Sequence, residues 1–235
     1  MSEEFIEEFI SEYLPYILRI PCVLIALTVH EVCHGYAALR LGDTTARDAG
    51  RLSLNPIHHL SLMGCLFMVI FGFGFAKPVP INPSRFEKVK NRRAGMAITA
   101  IAGPLSNFLM SAVGVLIYVI LYRLNYAGII VFMTADFAYY VFYVLMMLLE
   151  VFIMLNISLA VFNMIPIPPL DGSKILLAFL PERVSFYAYK YERQIMAVLF
   201  ILIWLGAFSG IISTAVTFVA EAMIWCADFI VGIFI

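Results

Sequence analysis

The chain is predicted to be an all-α polytopic membrane protein with about four to six transmembrane helices, and its composition and its long apolar runs carry that prediction. Of 235 residues, 63% are hydrophobic and only 13% charged, with a mean hydropathy of +0.96. Soluble domains carry about 25% charged residues, so this composition excludes an ordinary soluble fold. A helix crossing the hydrocarbon core needs about 20 mainly apolar residues. Four stretches meet that need: Leu14 to Leu41, Gly95 to Leu124, Phe137 to Ile165 and Ile195 to Phe218. They are expected to pack as one domain over 1–235, with a core of about 14–180 and C-terminal helices at about 190–235. The near-neutral net charge of -1 gives no reason to expect a nucleic-acid partner.

The N-terminal stretch Met1 to Tyr13 is acidic and lacks the basic, short-apolar, small-residue pattern of a cleavable signal, so the first apolar run is expected to stay as a span. Basic residues then mark the topology. Three lie between Arg40 and Arg51, six between Lys77 and Arg93 and four between Lys174 and Arg193, leaving only Arg19 and Arg123 elsewhere. Lys and Arg in short loops favour the cytoplasmic side, which places these clusters inside and the N-terminus outside.

Between the first two clusters lies Leu60 to Phe75, apolar but short and holding three glycines. A re-entrant or extended element there, between the first and second helices, keeps both clusters on one side, and irregular backbone at membrane depth is tolerated where protein surrounds it. Asp43 to Pro83 carries turn and extended signals, above all Lys77-Pro-Val-Pro-Ile-Asn-Pro83, because proline lacks a ladder donor. The tail from Val219 to Ile235 is apolar but interrupted by Glu221 and Asp228, and its place, interfacial or spanning, stays open. The four cysteines, Cys22, Cys33, Cys65 and Cys226, are widely spaced and read as small buried hydrophobes.

Chemistry enters with His30-Glu31-Val32-Cys33-His34. Residues four apart share one face of a helix, so both imidazoles reach one ion while Glu31 stands beside it. In a soluble helix the pattern also arises as a solvated face; within a span, each ionisable group costs about 2.5 kcal/mol or more and demands a partner. A catalytic zinc takes three protein ligands and keeps one position for water. The third ligand is to be sought among His58, His59, Glu150 and Asp171. Asp171 is favoured because it follows three prolines in Asn163-Met-Ile-Pro-Ile-Pro-Pro-Leu-Asp-Gly172, where a broken helix end can turn a carboxylate inward. On its own that stretch also reads as a surface Asp-Gly turn.

The order of these motifs resembles the site-2 protease family of intramembrane zinc metalloproteases. Further matches are Leu54-Asn-Pro56 with His59, Ala76-Lys-Pro-Val-Pro-Ile-Asn-Pro83 and Ala102-Gly-Pro-Leu-Ser-Asn107, so the likeness runs from about Thr28 to Leu180. It is to the compact branch, which has no inserted peptide-binding domain. The resemblance implies one zinc ion per chain bound by His30, His34 and Asp171, with Glu31 as general base. It also implies a transmembrane protein as substrate, and a multi-pass enzyme of the cell membrane whose site faces the cytoplasm. One departure stands out: where the compact branch reads His-x-Asp-Pro-x-Gly, this chain has His59-Leu-Ser-Leu-Met-Gly64.

His59 is a candidate contact for the transition state, or a plain interfacial histidine. Asn107 and Asn163 are candidates for binding an extended substrate, with interhelical hydrogen bonding as the stronger reading. Two other functions fit a membrane protein with these residues. A metal transporter is disfavoured because no duplicated half appears, and a non-catalytic scaffold because His30, Glu31, His34 and Asp171 are all intact.

Overall fold

The computed structural model describes residues 12–59, 63–64, 66, 70, 77–127 and 136–234. These residues form helices α1 (Leu14–Arg40), α2 (Arg92–Tyr126), α3 (Asp136–Asn163), α4 (Asp171–Phe179), α5 (Glu182–Lys190), α6 (Glu192–Trp204) and α7 (Ser209–Val231), with no strand among them. Four, namely α1, α2, α3 and α7, are long and apolar enough to cross a membrane. The chain is an integral, multi-pass membrane protein.

The fourth span differs from the sequence expectation of Ile195 to Phe218. The helix that begins before Ile195 stops at Trp204 after 13 residues, about 20 Å at 1.5 Å per residue and short of the roughly 30 Å of hydrocarbon. Gly206, at φ +74°, turns the chain through a conformation that side-chain-bearing residues resist. The span is α7, whose carboxylates Glu221 and Asp228 are both exposed on the helix surface.

Helix α2 is the hub and touches α1, α3, α4 and α7. Its start is set by Asn91, whose side chain accepts the N–H groups of Arg93 and Ala94 and so caps two orphan donors. One apolar cluster joins α1 to α3 through Cys22, Val23, Ala26 and Leu27 against Leu155 and Leu159. A second joins α2, α3 and α7 through Val115, Val119, Ile153 and Ile157 against Val216 and Ala220.

The segment between α1 and α2 contains single turns at Thr45–Asp48, Pro56–His58 and Pro83–Arg85, and its described residues 63, 64, 66 and 70 are helical. Most of the expected re-entrant element at Leu60 to Phe75 lies outside the described residues. The extended stretch from Lys77 to Asn82 is tied to its surroundings at four points. The Lys77 N–H donates to the His59 carbonyl (2.9 Å), Arg51 donates to the Lys77 carbonyl (2.7 Å), the Val79 N–H to Glu31 (2.8 Å) and the Asn82 N–H to Asp43 (2.6 Å). Asp43, fully buried, also accepts from the Thr45 N–H and hydroxyl. A buried carboxylate with three donors is well satisfied, and it fixes this stretch against the end of α1.

Candidate metal centre and active site

Two elements far apart in sequence, α1 and α4, bring His30, His34 and Asp171 together. The two histidines lie one turn apart on the inner face of α1, with rings edge to face at 4.6 Å. Asp171 is the first residue of α4, and it reaches them because α4 starts hard against the end of α3. A Cβ on Gly172 would lie 2.2 Å from the Met164 carbonyl oxygen, so only glycine allows that approach. At the far end of α4, Arg93 of α2 donates to the carbonyls of Leu177 and Leu180 and to the Ser185 hydroxyl, which satisfies carbonyls that the helix end leaves without partners.

Tautomers follow from the outer partners. His34 Nδ1 lies 2.7 Å from the Thr99 carbonyl, an acceptor only, so that nitrogen carries the proton. A carbonyl oxygen has two lone pairs, so Thr99 can accept from His34 while it stays within α2. His30 Nδ1 lies 2.6 Å from Asn107 Oδ1, while the Asn107 amide group donates to Asn156 Oδ1 (2.8 Å) and to the Ala26 carbonyl (3.3 Å). With its N–H bonds spent, Asn107 turns its oxygen to His30, and His30 Nδ1 donates.

Both Nε2 atoms of the neutral imidazoles are therefore bare lone pairs. They lie 3.1 Å from each other, and Asp171 Oδ2 lies 3.2 Å from His30 Nε2 and 3.1 Å from His34 Nε2. Three converging lone pairs repel one another unless a cation lies among them, and all three residues are buried. Gly103 keeps the adjoining space clear: a Cβ there would come within 2.4 Å of His34 Nε2 and 2.6 Å of His30 Nε2. Two neutral nitrogens and one carboxylate oxygen form a donor set that suits a divalent metal ion.

Electrostatics favour the ionised carboxylate. Burial works to raise the pKa of Asp171, but when a proton rather than a metal ion lies among these atoms, hydrogen bonds from His30 and His34, with the charge of Lys174, outweigh burial and hold the acid well below the usual carboxylate range. Burial likewise opposes the Lys174 ammonium, and Asp171 outweighs it, raising that pKa. Lys174 Nζ lies 2.8 Å from Asp171 Oδ1.

The other residues singled out from sequence fall in different places. Glu31 is half-buried, and one of its oxygens accepts the Val79 N–H. Asn107 is fully buried and wholly engaged in interhelical bonds. Asn163, at the end of α3, donates to the Leu159 carbonyl (3.0 Å) and shares no hydrogen bond with the metal-binding group. His59 is buried, donates from Nε2 to the Ser53 carbonyl (2.7 Å), and keeps an Nδ1 with no partner. It supports the Lys77 stretch and stands apart from the two α1 histidines.

Sequence reasoning passed over Asn156, Asp43, Arg93 and Lys174 as site residues. Asn156, fully buried on α3, is the second link of the chain from His30 through Asn107 and is fixed by donating to the Phe152 carbonyl (2.8 Å). An amide in the middle of an apolar helix was its only signal.

A buried His, His and Asp group held among membrane-spanning helices, with an acid next to the first ligand, defines a class: membrane-embedded enzymes that work with a bound metal. The model of peptidase family M50, the site-2 protease family, matches residues 19–206, and the chain belongs to that family of proteases. It is 34% identical over 191 residues to the candidate zinc metalloprotease YwhC of Bacillus subtilis, covering 80% of this chain and 81% of that one. With the candidate zinc metalloprotease Rip2 of Mycolicibacterium smegmatis the identity is 28% over 221 residues, covering 86% and 78%. No solved structure matches the chain.

Proposed function

We propose that this protein is a zinc metalloendopeptidase that hydrolyses peptide bonds in or near transmembrane segments of membrane-protein substrates. In this reading one zinc ion per chain is held by His30, His34 and Asp171, and Glu31 is the general base. The enzyme sits in the cell membrane with its site toward the cytoplasm, the side to which the basic loop clusters point. The observation that carries the reading is the convergence of three lone-pair donors beside the bare face of Gly103.

Zinc bound there supplies a water of lowered pKa and polarises the scissile carbonyl. Glu31 Oε2 is anchored by the Val79 N–H, which leaves the other oxygen to take a proton from the water and pass it to the departing amine. The same bond couples the base to the extended stretch, so a substrate strand laid there lies next to the group that must protonate its departing amine. Of the N–H groups from Lys77 to Asn82, three are engaged, at Lys77, Val79 and Asn82, and Pro78 and Pro80 have none. That stretch therefore offers an unwound substrate mostly carbonyl acceptors, with the Ile81 N–H as its spare donor. Asn163 and His59 are further candidates for substrate contact.

Metal content of the detergent-purified full chain tests the core of the reading. Expected is about one zinc per chain in wild type and Glu31→Gln, sharply less in Asp171→Ala, and loss of proteolysis in both variants. A wild-type protein purified in zinc-replete medium that holds no metal would overturn it.

A further inference from the structure

We infer that Lys174 is a positioning residue of the metal centre, one that makes Asp171 present a single oxygen to the ion. The inference rests on the zinc reading above. Asp171 divides its two oxygens: Oδ2 faces both histidine Nε2 atoms, and Oδ1 is taken by Lys174 Nζ at 2.8 Å.

The division is built into the fold. Lys174 follows Asp171 by three positions on α4, so the two side chains share a face. The start of α4 is pressed against the Met164 carbonyl by Gly172, and its last carbonyls are bound by Arg93. The backbone that carries both side chains is thus anchored at each end of α4. The Lys174 side chain is 33% exposed against 7% for Asp171, so the ammonium is partly wet while its partner is dry. Tyr189 lines the same cleft as Lys174, and the charge of Glu31 acts on the ammonium alongside that of Asp171.

The consequence for coordination is specific. A carboxylate with both oxygens free can grip an ion through both, which with two imidazoles and a water makes five ligands in place of the four of an open catalytic site. With Oδ1 committed to the ammonium, Asp171 binds through Oδ2 alone. Lys174 thereby keeps the site four-coordinate without touching the ion, as outer partners orient metal ligands elsewhere.

The test uses the full chain in detergent, loaded with zinc or with cobalt(II) as a spectroscopic substitute. Zinc affinity is measured by competition with a chelator, and coordination is read from the visible absorption of the cobalt form. Lys174→Met and Lys174→Gln are expected to bind zinc about 10- to 100-fold more weakly and to lose the intense bands of four-coordinate cobalt. Lys174→Arg should keep both properties. Helicity by circular dichroism identifies any variant that misfolds, and the remaining neutral variant then decides. A neutral variant with the wild-type cobalt spectrum would overturn the assignment, whatever its zinc affinity. Wild type that takes up neither metal would overturn the metalloprotease reading itself, which keeps the two failures distinct.

Discussion

Two sides of the helix bundle are held by different physics. Where α1, α2 and α3 meet near the metal centre, contacts run through buried polar groups: His34 to the Thr99 carbonyl, and His30 through Asn107 to Asn156. Where α7 joins α2 and α3, Val115, Val119, Ile153 and Ile157 meet Val216, Ala220, Ala227 and Val231. The described polar links there are few, such as Ser111 to Met223 and the exposed pair of Arg123 with Asp228. In a bilayer the hydrophobic effect scarcely favours a helix neighbour over lipid, so apolar packing alone sets register weakly. Directional bonds set it firmly. The bundle spends its buried polar groups where a ligand must be placed to within a fraction of an ångström.

Several substitutions sharpen or break that contrast. The largest effect is expected from His34→Ala, which removes a lone pair from the centre: zinc by elemental analysis should fall to background and proteolysis should vanish. Gly103→Ala puts a methyl group beside both Nε2 atoms, and it should cut zinc occupancy severely while circular dichroism shows the helices intact. Asn156→Leu leaves Asn107 without one acceptor and should weaken zinc binding by about 10- to 100-fold in chelator competition. Ile157→Val, on the apolar side, should cost about 0.5–1.5 kcal/mol of stability in a denaturant titration and leave zinc affinity unchanged. If Ile157→Val disturbed zinc more than Asn156→Leu, the division of labour between the sides would be wrong. The smallest effect belongs to Arg123→Ala, since its pairing with Asp228 is largely solvent-facing and such pairs contribute about 1 kcal/mol or less.

Much of this was legible in the sequence because the signals were local. Apolar runs located α1, α2 and α3 to within a few residues, and the spacing of His30 and His34 fixed a shared face. The prolines before Asp171 gave a physical reason for a carboxylate to turn inward. The break at Gly206 was not legible, because hydropathy is blind to a bend flanked on both sides by apolar residues. Asn156 and Lys174 escaped for another reason. Their meaning depends on partners: Asn156 bonds to a residue 49 positions away, while Lys174 acquires its role only once Asp171 is placed. An amide on an apolar helix looks the same in a sequence whether it meets lipid or another amide.

The separation of His30 from Asp171, 141 positions along the chain, has a consequence for biosynthesis. A nascent chain that has delivered only α1 to the bilayer already carries two ligands, yet it lacks the carboxylate, the Thr99 carbonyl and the bare face of Gly103. The ligand that completes the set opens α4, which follows α2 and α3 in the chain, so both of those helices are made before the set can close. On the proposed zinc reading, the metal site is therefore incomplete in any partly made chain, and activity waits for a nearly complete fold.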